Sequence, residues 1–166
     1  GLQNATWEQT IKALNTPEAV AGYDDKYIAY VPHGSGTYTP KETFDKKAGV
    51  CRDHARFQAS ILKMNGYQAY MLSYGGASVN HAFVAYIDKD GTWNAIEYGR
   101  VYKAGAKSFE ELVASLQQHF SNKKGYEIDW TRVGLNEPDD LQVMFNERGA
   151  MIKEVINRGF DRDLKY

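Results

Sequence analysis

The sequence predicts an α+β fold in one domain spanning residues 1–166. Three observations carry this reading. Helix caps and apolar residues at helical spacing fill the chain as far as Asn65-Gly66. From Tyr67 to Tyr98 the apolar period then drops from about 3.6 to about 2, which is the signature of strands. Helical signals return at Ser108. Elements sorted along the chain in this way argue for α+β rather than alternating βα units.

Composition narrows the function classes. Hydrophobic residues make up 43% and charged residues 25%, an ordinary globular balance. A chain of this length buries about 70% of the surface its unfolded form exposes. Twenty Lys+Arg against twenty-one Asp+Glu leave a net charge of −1, so no nucleic-acid partner is expected. No apolar run approaches the ~20 residues of a membrane-spanning helix. Three Trp, twelve Tyr and seven Phe argue against disorder. The chain starts Gly1-Leu2-Gln3 without Met. A removed signal peptide or a trimmed boundary accounts for that, and an extracytoplasmic location is expected over a cytoplasmic one.

The elements follow from local signals. Thr6 to Leu14 is a short helix with Trp7, Ile11 and Leu14 at helical spacing. Thr16-Pro17-Glu18 supplies an N-cap, a proline at the first helical position and an acid in the first turn. That helix is expected to run through Ala21 and on toward Tyr30. His33-Gly34-Ser35-Gly36-Thr37 is a loop by composition, with His33 expected to be exposed. Thr39-Pro40-Lys41-Glu42 is a capping box that opens a helix over 40–46, broken by Gly49. Residues 51–64 make the strongest helix, with a narrow buried stripe of Ala55, Ala59 and Leu62 beside Gln58 and Ile61, and Asn65-Gly66 ends it. Tyr67 to Tyr74, Val79 to Ile87 and Thr92 to Tyr98 read as strands. Ser108-Phe109-Glu110-Glu111 opens a helix to about Phe120. Asp129 to Leu135 is expected as an edge strand. About 138–157 is expected as a long amphipathic helix, with Leu141, Met144, Phe145, Ile152 and Val155 on its apolar face.

Cys51 is the only cysteine. An intramolecular disulfide is therefore impossible, a Cys-rich zinc site is not expected, and no cofactor or metal is implied. Cys51 occupies the first position of the strongest predicted helix, where the helix dipole favours thiolate over thiol. His81 and Glu97 lie in two consecutive strands joined at Asp88-Lys89-Asp90-Gly91. A thiol, an imidazole and a carboxylate are the parts of a nucleophile, its base and the group that orients the base. Side chains alternate along strands, so His81 and Glu97 share a face only if paired residue numbers sum to an even number. A type I turn with Gly91 left-handed in a bulge gives that parity; a plain two-residue turn does not.

These segments also carry a resemblance. Gly49-Val50-Cys51-Arg52-Asp53-His54-Ala55, followed by Ile61-Leu62 and Gly66-Tyr67-Gln68-Ala69, resembles the nucleophile helix of the transglutaminase-like superfamily. Asn80-His81-Ala82-Phe83-Val84 resembles its histidine strand, and Trp93-Asn94-Ala95-Ile96-Glu97 its third motif. The upstream Tyr38-Thr39-Pro40-Lys41-Glu42-Thr43 fits the short capped helix that precedes the cysteine turn. The similarity covers about residues 38–99. It implies a papain-like, transglutaminase-core fold in which the nucleophile helix packs on a small antiparallel sheet with flanking helices.

By the same resemblance Cys51 is the nucleophile, His81 the general base and acid, and Glu97 the orienter. The implied activity is that of a cysteine hydrolase of the cysteine-peptidase kind, cleaving an amide bond in a peptide or protein substrate through a thioester. The alternatives are a protein-glutamine acyltransferase or deamidase, and an inactive binding module on the same fold. One departure stands out: the family's third position is usually Asp, often before Pro, whereas here Glu97 precedes Tyr98.

Each residue has a plainer reading. Cys51 is also what a buried structural thiol looks like, His81 a core histidine, and Glu97 a solvated strand residue or a partner for Arg100. Asp53 reads as a first-turn acid that pairs with a basic group. His54, one turn after Cys51, is a second candidate base, although it leaves little room for a substrate between the two. For the developing oxyanion, the Cys51 N–H is the first expected donor, with Tyr30 or Tyr38 as the second.

Overall fold

The computed structural model describes residues 1–34, 36–76, 80–120 and 128–138. The helix expected over about 138–157 lies outside the described residues from residue 139 onward.

The helical half begins with α1 (Trp7–Ala13). The Thr6 hydroxyl accepts the Gln9 N–H, and the Gln9 side chain accepts the Thr6 N–H in return. Helix α2 (Pro17–Tyr27) is capped by Thr16. It does not continue toward Tyr30. The chain turns extended at Ile28, and Ala29–Tyr30 form β1, paired in parallel with β2 (Ala48–Gly49). The Ala29 N–H donates to the Lys47 carbonyl and the Val31 N–H to the Gly49 carbonyl, at 2.9 and 3.0 Å. A tertiary ladder thus wins over local helix continuation at a stretch whose Ile, Tyr and Val favour strand. Helix α3 (Pro40–Lys46) has the expected bounds, but Lys47 ends it in the left-handed region at φ 53°, ahead of Gly49.

Helix α4 (Cys51–Met64) also has the expected bounds. It is buried over every residue from Asp53 to Leu62, not along a narrow stripe. The reason is position: α1, α2 and α3 lie on one side of it and the sheet on the other. Its far end is tied down by Asn65, whose side-chain amide donates to the Ile11, Leu14 and Ile61 carbonyls.

The sheet holds five antiparallel strands, β3 (Gln68–Gly76), β4 (Asn80–Ile87), β5 (Trp93–Glu97), β6 (Arg100–Ala106) and β7 (Ile128–Asn136), in the order β6-β5-β4-β3-β7. Strand β7 sits at the edge, as expected. Strand β6 has no clear sequence signal, because Lys103 and Gly105 blur its alternation; pairing with β5 makes it a strand. Met71, Val84, Tyr86 and Ile96 face α4. Leu72, Phe83, Ala85 and Ala95 face α5 (Phe109–Phe120), against its Leu112 and Leu116. Each fully buried Leu or Phe in these layers contributes roughly 1.5–3 kcal/mol.

The β4–β5 hairpin settles the parity. Val84 pairs with Ile96, Ala85 with Ala95, Tyr86 with Asn94 and Ile87 with Trp93, all even sums. The Asp88 N–H donates to the Thr92 carbonyl, the Asp88 carbonyl accepts from the Gly91 N–H, and Gly91 has φ +82°, the bulged form in which glycine avoids the steric penalty of a left-handed residue. His81, Phe83 and Glu97 therefore share one face. Among the described residues no helix is long and apolar enough to cross a membrane.

Candidate active site

Cys51 is the first residue of α4, and the chain reaches it through a tightly built turn. The Asp53 carboxylate is fully buried and accepts three hydrogen bonds. The Val50 and Tyr38 N–H groups each donate at 2.8 Å, and His33 Nε2 donates at 2.5 Å. The bond to Val50 holds the backbone one residue before the sulfur and satisfies a donor at the helix start. Gly49 is required by the same packing, since a Cβ there would sit 2.5 Å from the Asp53 Cβ. Arg52 braces the loop above, donating to the Gly34 and Gly36 carbonyls at 3.0 and 2.6 Å.

His81 lies at the start of β4, buried to 8% exposure. Its Nε2 bonds Glu97 Oε2 at 2.9 Å. It is also hydrogen-bonded to the Cys51 sulfur; with Nε2 turned to Glu97, Nδ1 is the ring nitrogen left for that contact. The β4–β5 ladder ends at Val84–Ile96. That leaves the first residues of β4 open on this side, and the Ala82 N–H donates to the sulfur.

The electrostatics follow from these contacts. Burial pushes the Cys51 thiol up. The hydrogen bond and charge of His81, the Ala82 N–H and the Arg52 charge outweigh burial and leave the thiol below the ordinary thiol range. Burial works against the His81 cation as well. Hydrogen bonds to Cys51 and Glu97, with their charges, raise it from 6.5 to about 9. Both shifts favour a thiolate–imidazolium pair, and the two groups titrate as a coupled unit.

The neighbouring residues divide differently from expectation. His54 does not face the sulfur. Its Nδ1 bonds the two Asp24 carboxylate oxygens at 2.8 and 2.9 Å, and its Nε2 meets the Ala29 and Gly49 carbonyls at 3.2 Å. Acceptors at both nitrogens favour its charged form. Burial opposes that charge and the Asp24 hydrogen bond and charge favour it, so its pKa is raised. It ties α2, β1, β2 and α4 together. His33 is not simply exposed: besides bonding Asp53, it stacks on Tyr38 at 4.1 Å between ring centroids. The basic partner expected for Asp53 is thus this histidine. The Tyr38 N–H is committed to Asp53, which removes it from an oxyanion hole. Tyr30 pairs with Gly49 and meets Tyr98 edge-on at 6.2 Å.

Sequence reasoning named Asp53 and Gln58 but missed what each bonds. Asp53 at the third helical position, the acid place of a capping box, was a readable signal for the Val50 bond. The role of Gln58, whose side-chain Nε2 donates to the Tyr98 carbonyl at 2.7 Å, had no local signal. Among the described residues no group of three or more His, Cys, Asp or Glu could hold a metal.

Comparison with known proteins bears on this arrangement. A search of curated protein sequences finds no match. A solved structure of a candidate cysteine protease from Cytophaga hutchinsonii is similar over 57% of this chain, with 16% identity and a TM-score of 0.48. The chain spans 37% of that protein's length. A family model described as a transglutaminase-like domain matches residues 5–102, more than half of the chain and all three segments that build the site. That match takes in α4, the start of β4 and all of β5, the elements that bring Cys51, His81 and Glu97 together, and the chain belongs to the transglutaminase-like domain family.

Proposed function

We propose that Cys51, His81 and Glu97 form the catalytic machinery of a cysteine hydrolase that cleaves an amide bond in a peptide or protein. The observation that carries this reading is the continuous hydrogen-bonded line from the Cys51 sulfur through His81 to Glu97, at the first turn of α4. The Cys51 thiolate attacks the carbonyl carbon, and the carbonyl π electrons move to oxygen. The Cys51 N–H, a first-turn donor without an intrahelical acceptor, supports the oxyanion, and Tyr30, paired with Gly49 two residues before Cys51, is the candidate for the second donor. His81 gives its proton to the leaving amine as the C–N bond breaks. Water then attacks the thioester, His81 takes its proton, and the acid leaves as the thiolate returns. Glu97 holds the imidazole orientation throughout. Tyr30 and Val31, exposed at 59% and 47% beside Gly49, supply an apolar surface for a substrate side chain.

The test is the pH dependence of Cys51 alkylation by a small electrophile in wild type and His81→Ala. The expected result is reactivity titrating at about 3.5–7.5 in wild type and lost in the variant. An ordinary titration near ~8.5 in both proteins would sink the proposal.

The family description favours a second reading: the same thioester passing to an amine, as in a transglutaminase. Partition separates the two. Acid released with water alone supports hydrolysis; product formed only when an amine is supplied supports acyl transfer.

A further inference from the structure

We propose that Gln58 is a positioning residue for the candidate triad: its buried amide clamps the Tyr98 turn in the conformation that presents Glu97 to His81. This rests on the reading of Cys51, His81 and Glu97 as catalytic.

Gln58 lies seven residues after Cys51 on α4, two turns along nearly the same face. It is 1% exposed, and a buried amide needs a partner. That partner is the Tyr98 carbonyl, at 2.7 Å. Tyr98 is one of two non-glycine residues with positive φ among the described residues, at 50°. An L-residue persists there only when its surroundings hold it. Tyr98 and Gly99 form the two-residue connection between Glu97 and Arg100, which pair directly.

The turn is held from several sides. The Tyr98 ring lies 5.6 Å from His81 and 5.0 Å from His54 between centroids. Gly99 presses on α2, where a Cβ would come within 2.5 Å of the Asp25 Cβ. Among these contacts, the Gln58 bond is made to the Tyr98 carbonyl, on the strained residue's own backbone. Without it, Tyr98 relaxes toward negative φ. The peptide that follows Glu97 then rotates, and the carboxylate moves off His81 Nε2. The residue type also fits. A glutamine donates without charge, whereas Lys or Arg would compete with His81 for Glu97, and Glu could not donate at neutral pH.

A double-mutant cycle tests this, read as the pH midpoint of Cys51 alkylation alongside the thermal midpoint. Gln58→Met keeps the volume and removes the donor. The expected result is a midpoint raised by about one pH unit in a protein that still melts cooperatively. Glycine adopts a left-handed φ without penalty, so in a Tyr98→Gly background the same Gln58 change is expected to shift the midpoint by much less. Should Gln58→Met fail to fold, Gln58→Asn, one methylene too short for the bond, takes its place in the cycle. A lower melting temperature with an unchanged midpoint, or an equal shift in both backgrounds, overturns the positioning role while leaving the triad intact. Absence of low-pH reactivity in the wild type overturns the triad, and this role with it.

Discussion

Asp53 accepts the Val50 N–H at 2.8 Å, and this one bond sets the backbone from which the Cys51 sulfur projects. The same carboxylate reaches Tyr38 and His33, so the nucleophile turn, the preceding loop and the helix start share one buried acceptor. Asp53→Asn replaces an acceptor oxygen by a donor facing other donors. A loss of about 2–3 kcal/mol is expected, measured by urea denaturation. Gly49→Ala forces a Cβ onto Asp53 and is expected to cost about 1–3 kcal/mol. An unchanged urea midpoint in either variant would show that the turn tolerates rearrangement.

His81 is the largest influence lowering the Cys51 pKa, and in the proposed triad Glu97 acts through the imidazole. Glu97→Gln preserves a hydrogen-bond acceptor and removes the charge. Its alkylation midpoint is expected to rise by less than that of His81→Ala, by about one pH unit. Equal effects of the two substitutions would mean that Glu97 does more than orient and charge-stabilise the ring.

In the proposed mechanism, cleavage of an amide needs a protonated His81 for the leaving amine. Its pKa in the free protein is raised to about 9, so kcat/KM, which reports acylation, is expected to hold through neutrality and fall as pH rises through about 9. Removing the Glu97 charge lowers the His81 pKa, so in Glu97→Gln this alkaline limb moves to lower pH. A limb that stays in place would separate it from His81.

The Asp24–His54 pair is buried and structural. Asp24→Asn leaves a cation without its counter-charge, and such breaks cost about 3–5 kcal/mol. The folded pKa of His54 is raised above its ordinary 6.5. The stabilisation is therefore complete below about 6.5 and lost as pH rises through the folded value. The stability gap between wild type and variant is expected to be widest in mild acid and to narrow with rising pH. A gap independent of pH would contradict a charged pair.

Much of the fold was legible because its signals are local. Thr39-Pro40 and Cys51 to Met64 gave helix bounds that match the structure residue for residue. The bulged turn at Gly91 suited Asp-Lys-Asp-Gly, but the shared face of His81 and Glu97 waited on the strand pairing. The end of α2 was not, because Ala29–Tyr30 leave the helix for a ladder with residues nearly twenty positions away. Strand β6 was missed for the same reason: β5 supplies its pairing. His33 was misjudged because nothing near it in sequence reveals Asp53.

The sequence by itself determined most of the element types and the three residues worth testing, since caps, turns and alternation act within a few positions; the hairpin parity, β1, β2 and β6 were decided by strand pairing. Only the tertiary structure decided which histidine faces the sulfur. His54 is three residues from Cys51, yet Asp24 and two carbonyls draw both its nitrogens away. His81 is thirty positions on, yet it makes the contact with the sulfur. Hydrogen bonds and charges act over ångströms of space, and strand pairing rather than chain separation decided which groups came within that range.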